Sequence, residues 1–141
     1  RDARLAALTR ARLEEAGWTP GDGPVVQGAA GSSRADGRAD MSRAAELLAE
    51  EVHVPVHHGF VAAIDPKFHE VVAEHQPKFA ATYLLAEGFF AGKMRRDAES
   101  TGVPVKVAAP LVNAQGGASA AVVAECFIDR MDAAIAQLDA A

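Results

Sequence analysis

The apolar positions of this 141-residue chain change their period several times, and each change marks an element. Arg4 to Ala16 is rich in alanine, leucine and arginine, reads as a helix, and stops at Gly17 in a C-terminal cap position. Thr19-Pro20-Gly21-Asp22-Gly23-Pro24 is a run of turn formers, so 18–24 reads as a linker. Val25 to Ala29 predicts a short buried strand. Met41, Ala45, Leu48 and Val52 recur at helical spacing and predict a helix from Arg38 to Val52. Val54 to Ala62 predicts a second strand. Asp65-Pro66 then predicts a helix start, with Asp as N-cap and Pro at the first position.

Lys78 to Leu85 reads as a third strand, Phe90 to Thr101 as a helix ended near Gly102, and Val103 to Ala109 as a fourth strand. From about Ser119 to Leu138 a long last helix carries Val123, Phe127, Met131, Ile135 and Leu138 on one stripe. Strands separated by helices of this length call for a parallel sheet covered on both faces. The expectation is an α/β fold, a doubly wound sheet of about four parallel strands, occupying 25–141.

Bulk properties narrow the function classes. The length suits one domain with its own core, and no apolar run is long enough for a membrane span. A net charge of −5 argues against general nucleic-acid affinity, which needs a basic footprint. The lone Cys126 cannot form an internal disulfide, which fits a reducing, cytoplasmic setting. Residues 1–12 are charged and helix-like and do not read as a secretory signal. Neither a Gly-x-x-x-x-Gly-Lys-Ser/Thr loop nor a Gly-x-Gly-x-x-Gly fingerprint occurs, which disfavours a nucleotide or flavin site.

Candidate chemistry concentrates after the first and third strands. The loop Gly31-Ser32-Ser33-Arg34 leads into a helix, so its N–H groups and hydroxyls suit an anion, and Arg34 and Arg38 would add charge-assisted bonds to carboxylates. The same residues equally make a turn and cap a helix. Lys93, Arg95 and Arg96 follow Phe89-Phe90 and suit anionic groups, or form the wet face of a helix. Tyr83, Phe89 and Phe90 project from the end of a strand, either plugging a pocket, stacking on a planar ring or covering an interface. The histidines His53, His57, His58, His69 and His75 lack metal-ligand spacing. His57 and His58 are neighbours on a strand and face opposite ways, and His69 and His75 are too far apart to share a helix face. No metal site is expected.

Gly28-Ala29-Ala30-Gly31-Ser32-Ser33, after an apolar strand, resembles the Gly-His-Gly-Ser loop of the class II chelatases of the sirohydrochlorin cobalto/ferrochelatase family. By that resemblance Ala30 stands at the metal-handling histidine. Tyr83 to Met94 matches the segment carrying the family's Pro-Gly-x-His, with Glu87-Gly88 for Pro-Gly and Phe90 for the histidine. Phe60-Val-Ala-Ala-Ile-Asp65-Pro66 is similar to the stretch with a Phe-x-Glu before Glu-Pro, and Ala62 holds the glutamate position. Ala109-Pro110-Leu111 resembles the start of Pro-Leu-Gly-x-His-Pro, with Gln115-Gly116 replacing His-Pro. Metal insertion needs ligands and a base for the pyrrole protons, which Ala30, Ala62 and Phe90 cannot supply.

The resemblance therefore implies a degenerate C-terminal half of a two-domain chelatase, inactive by itself, with Co2+ or Fe2+ as substrate of the parent family and no cofactor of its own. Ser32, Ser33, Arg34, Arg38, Phe89, Phe90 and Lys93 are its implied ligand-binding residues. Its implied partner is an N-terminal chelatase half or a second copy of itself, around a polycarboxylate tetrapyrrole. The alternative is a stand-alone tetrapyrrole- or anion-binding module without catalysis, or a homodimeric scaffold. The chain opens on Arg1, which suggests a piece of something longer. Arg4–Ala16 is similar in character to Val122–Ala134, with Arg12 aligned to Arg130. The first helix is thus either the tail of a preceding homologous half or one more alanine-rich amphipathic helix.

Overall fold

The computed structural model describes residues 3–31, 35–62, 64–84, 87–112, 121–126 and 128. Its elements in chain order are α1 (Ala3–Glu15), β1 (Val25–Ala29), α2 (Ala35–Val52), β2 (Val56–Phe60), α3 (Phe68–His75), β3 (Phe79–Thr82), α4 (Phe89–Ser100) and β4 (Lys106–Val107). The strands form one sheet in the order β2-β1-β3-β4. Every pairing is parallel, with Val25 opposite both Val56 and Phe79, and Ala80 opposite Val107. This is the expected doubly wound α/β sheet.

The alternation of β1 explains the layers. Val26 points into a core with Val61, Phe68, Val71, Val72, Ala80, Met94 and Ala98, supplied by α3 and α4. Val25 points the other way, among Leu13, Trp18, Leu48, Val52 and Ala81, where α1 and α2 lie. Successive side chains of a strand face opposite sides, so a central strand covered on both is buried at every position, here including the polar Gln27. All five residues of β1 are buried. Two glycines let helices approach the sheet: a Cβ on Gly59 would stand 2.7 Å from the Phe68 Cα, and one on Gly28 would stand 2.8 Å from the Met94 Sδ.

α1 is part of this layering. Leu13 and Trp18 are fully buried in the α2-side core, and Leu5 joins Leu111, Val123 and Cys126 in a third apolar cluster. The buried Arg12 donates from Nε to the Leu111 carbonyl at 3.3 Å and pairs with Glu15. The 18–24 segment thus combines a core residue, Trp18, with an exposed turn over Pro20–Asp22.

Several boundaries differ from the sequence expectation. α2 begins three residues earlier than Arg38, at Ala35. α3 begins at Phe68 rather than at Asp65, with Lys67 at the N-cap. The Asp65-Pro66 peptide is cis, and the Pro66 carbonyl accepts from the Phe60 N–H at 2.7 Å. Residues 66–67 therefore run beside the end of β2, and only then does the chain turn into a helix. β4 shrinks from the expected Val103–Ala109 to two residues, since Val105 N–H bonds back to the Val103 carbonyl and Pro104 offers no N–H. Of the expected last helix, 121–126 and 128 are helical, and the remainder lies outside the described residues.

Candidate functional site at the C-terminal edge of the sheet

β1 feeds through α2 to β2 on one side, while β2 feeds through α3 to β3 on the other. The strand order therefore reverses between β1 and β3, and ligands of open α/β sheets bind at the carboxyl end of such a crevice. A cleft of about 450 Å³ opens there, lined by Ala30, Gly31, Gly37, Asp40, Met41, Tyr83 and Leu84. Alanine, glycine, methionine, leucine and a tyrosine ring give it mainly apolar walls, and Asp40 is the one carboxylate lining it among the described residues.

The backbone fixes this rim closely. Val61 N–H donates to the Ala29 carbonyl at 2.8 Å and Ala62 N–H to the Ala30 carbonyl at 2.9 Å, so the ladder continues past both strands. Tyr83 N–H donates to the Gly28 carbonyl at 2.8 Å, and Leu111 N–H to the Leu84 carbonyl at 3.0 Å. Gly31 has φ +114, a left-handed conformation that favours glycine, and a Cβ there would stand 3.1 Å from the Ala62 Cβ. The loops after β1 and β2 are in direct contact.

The structure brings the three matched positions to one edge. Ala30 and Ala62 share the hydrogen bond just described. Phe90 sits in the first turn of α4, one turn before Lys93, whose ammonium reaches the Val61 carbonyl at 2.9 Å. None of the three offers a ligand or a base. Lys93 also pairs with Asp97 at 2.7 Å, so its charge is already engaged within the protein. A smaller cleft of about 270 Å³ lies beside it, lined by Val61, Ala62, Lys67, His69, Glu70 and Lys93. Lys67 was not singled out by sequence, and His69 was weighed there only as a metal ligand, because their place on this rim depends on where α3 begins.

The aromatics divide. Tyr83 lines the larger cleft and packs at the border of the Leu5 cluster. Phe89 and Phe90 stand at the start of α4 in an edge-to-face pair, with centroids 5.3 Å apart, and they are 70% and 40% exposed. Arg95, on the wet side of α4, is bound to Glu87 by two hydrogen bonds at 2.8 and 3.1 Å, which raises its pKa. Arg38 lies in the first turns of α2, near the cleft residues Gly37 and Asp40. Ser32, Ser33 and Arg34 lie outside the described residues, as does Gln115-Gly116.

The histidines are placed away from this edge except His69. His57 and His58 face opposite sides of β2 as expected: His57 stacks on His75 of α3, and His58 lies edge-on to Phe60. Burial lowers the pKa of both, and for His57 the neighbouring His75 lowers it further. Among the described residues no group of three histidine, cysteine or acidic side chains is arranged to hold a metal ion. No helix among them is long and apolar enough to cross a membrane.

No family model matches the sequence, and no curated protein matches it. A solved structure is similar: SirB from Bacillus subtilis with Fe3+, at 25% identity and a TM-score of 0.69. The likeness covers 77% of this chain and 47% of that one, so the chain spans less than half of that relative's length. The fold is therefore that of a SirB-like chelatase.

Proposed function

We propose that this chain is one half of a two-lobed sirohydrochlorin chelatase, forming one wall of the tetrapyrrole cleft without handling the metal itself. The carrying observation is the cleft at the switch point, lined by Ala30, whose carbonyl accepts from the amide of Ala62 in the neighbouring smaller cleft. A largely apolar cleft suits a planar macrocycle, and Tyr83 puts an aromatic side chain in its lining. The SirB-like fold covering half of that protein supports the half-domain reading. Arg38 and the loop 31–34 would meet the carboxylates at the macrocycle's margin, while Lys93 holds the rim in shape. Metal ligation and proton abstraction from the pyrroles would belong to the other lobe, with Co2+ or Fe2+ as substrate. On this reading α1 is the tail of that preceding lobe, docked here.

A spectral titration of the chain with sirohydrochlorin, with and without Co2+, tests this. The expected result is a shifted absorption band and no insertion. Turnover by this chain alone would overturn the division of labour, and an unshifted spectrum would overturn the wall.

A second reading is favoured by the exposed Phe89–Phe90 pair: a homodimer in which two copies face each other as the two lobes would. Sedimentation of the wild type against Phe89→Ser distinguishes it, since only a dimer built on this pair dissociates in the variant.

A further inference from the structure

At the opposite end of the sheet from the cleft, two imidazoles lie face to face. The rings of His57 and His75 are 3.6 Å apart between centroids and 5° from parallel. His57 is the second residue of the edge strand β2, and His75 is the last residue of α3. The helix ends there on a left-handed Gln76, φ 44, whose N–H donates to the Val72 carbonyl at 2.8 Å. We propose that the His57–His75 stack is a proton-responsive latch, which holds the end of α3 on β2 while the rings are neutral and releases it in acid.

The surroundings give the latch its sign. Two neutral imidazoles stack at van der Waals distance, whereas two imidazolium ions at that separation repel. Of the charges acting on His57, His75 and His58 oppose its protonation and Glu74 favours it. Glu74 is largely exposed, and its carboxylate lies 3.8 Å from the His75 Nε2. On β1 the register partner of His57 is Val26, which is apolar and fully buried. The last turn of α2 carries Glu50 and Glu51, followed by His53, and α2 covers the other face of the sheet. Glu51 there faces Arg10. Among the described residues, the exposed Glu74 is the carboxylate placed to offset charge on the stack.

Release would be felt along α3. Its other end, from Lys67 to Glu70, lines the cleft beside Ala62 and Lys93, about 12 Å away along the helix. Nothing in the latch depends on what that cleft binds.

The experiment is hydrogen exchange read by NMR on the whole chain, as the pH falls from about 7.5 to about 5, where imidazoles titrate. The protection factor of the Gln76 amide is expected to fall about tenfold, one unit of proton linkage, while the central-strand amides of Gln27 and Ala81 keep theirs. His57→Phe and His75→Phe each keep a ring in the stack and remove one proton acceptor, so each should abolish the fall. Constant protection at Gln76 across the range would overturn the latch. So would a fall that persists in either variant, and whichever of the two folds suffices.

Discussion

The Ala62 amide donates to the Ala30 carbonyl at 2.9 Å, so the two alanines that the chelatase resemblance sets at polar positions sit on adjoining backbone. Restoring one ligand should restore little: Ala30→His is expected to leave metal insertion undetectable in the sirohydrochlorin assay, because Ala62 and Phe90 still supply neither a ligand nor a base.

Gly59 and Gly28 lie under the same helical layer but differ in what a methyl would strike. At Gly59 it meets the backbone of Phe68, with Cα at 2.7 Å and N at 3.0 Å. At Gly28 it meets the flexible end of Met94 and the Phe68 ring. Gly59→Ala should therefore cost more than Gly28→Ala, which is expected near the low end of the usual ~1–3 kcal/mol overpacking penalty. Urea midpoints at equal m-value give the comparison.

Gln27 is 1% exposed in the middle of β1, and neither its amide nitrogen nor its oxygen finds a partner among the described residues. An orphaned buried amide costs more than an apolar side chain of the same shape. Gln27→Met should raise stability by about 1 kcal/mol, measured by urea unfolding. A drop instead would reveal that the amide is satisfied in solution.

His58 is half-buried on the α2 side of β2, and burial lowers its pKa from 6.5. The unfolded chain then binds the proton more readily than the folded one. Stability from the neutral ring is complete above the unfolded value and is lost as pH falls from there towards the lowered folded value. His58→Phe should flatten part of the decline in urea midpoint below about pH 6.5.

Lys93 joins α4 to the segment after β2 through the Val61 carbonyl and Asp97. Lys93→Met should cost about 1 kcal/mol, less than a buried charged hydrogen bond because the ammonium is partly solvated. If Lys93 holds the rim without touching a ligand, the variant's sirohydrochlorin spectrum should keep its shift once folded.

Much of the fold was legible because the β1 run Val25-Val26 and the stripe Met41, Ala45, Leu48, Val52 carry periods that only a sheet or a helix satisfies. The opposite facings of His57 and His58 followed from strand geometry alone. The start of α3 was not legible: Asp65-Pro66 is a good helix-start signal locally, but the Phe60 amide claims the Pro66 carbonyl from another element. The His57–His75 stack was hidden for the same reason, since a strand and a helix end meet only through the crossover. The Lys93–Asp97 pair is an i,i+4 spacing readable on the expected helix, whereas the bond from Lys93 to the Val61 carbonyl joins segments 32 residues apart and left no sign in the sequence.

The burial of Leu13 and Trp18 beside Val25 and Leu48 bears on how the chain can be cut. The turn over Pro20–Asp22 is exposed while the segments on both sides of it are anchored. A protease nick there should yield two fragments that stay assembled, with Trp18, the single tryptophan, as the fluorescent witness of their complementation. A boundary drawn at residue 24 would instead strip one wall from the core.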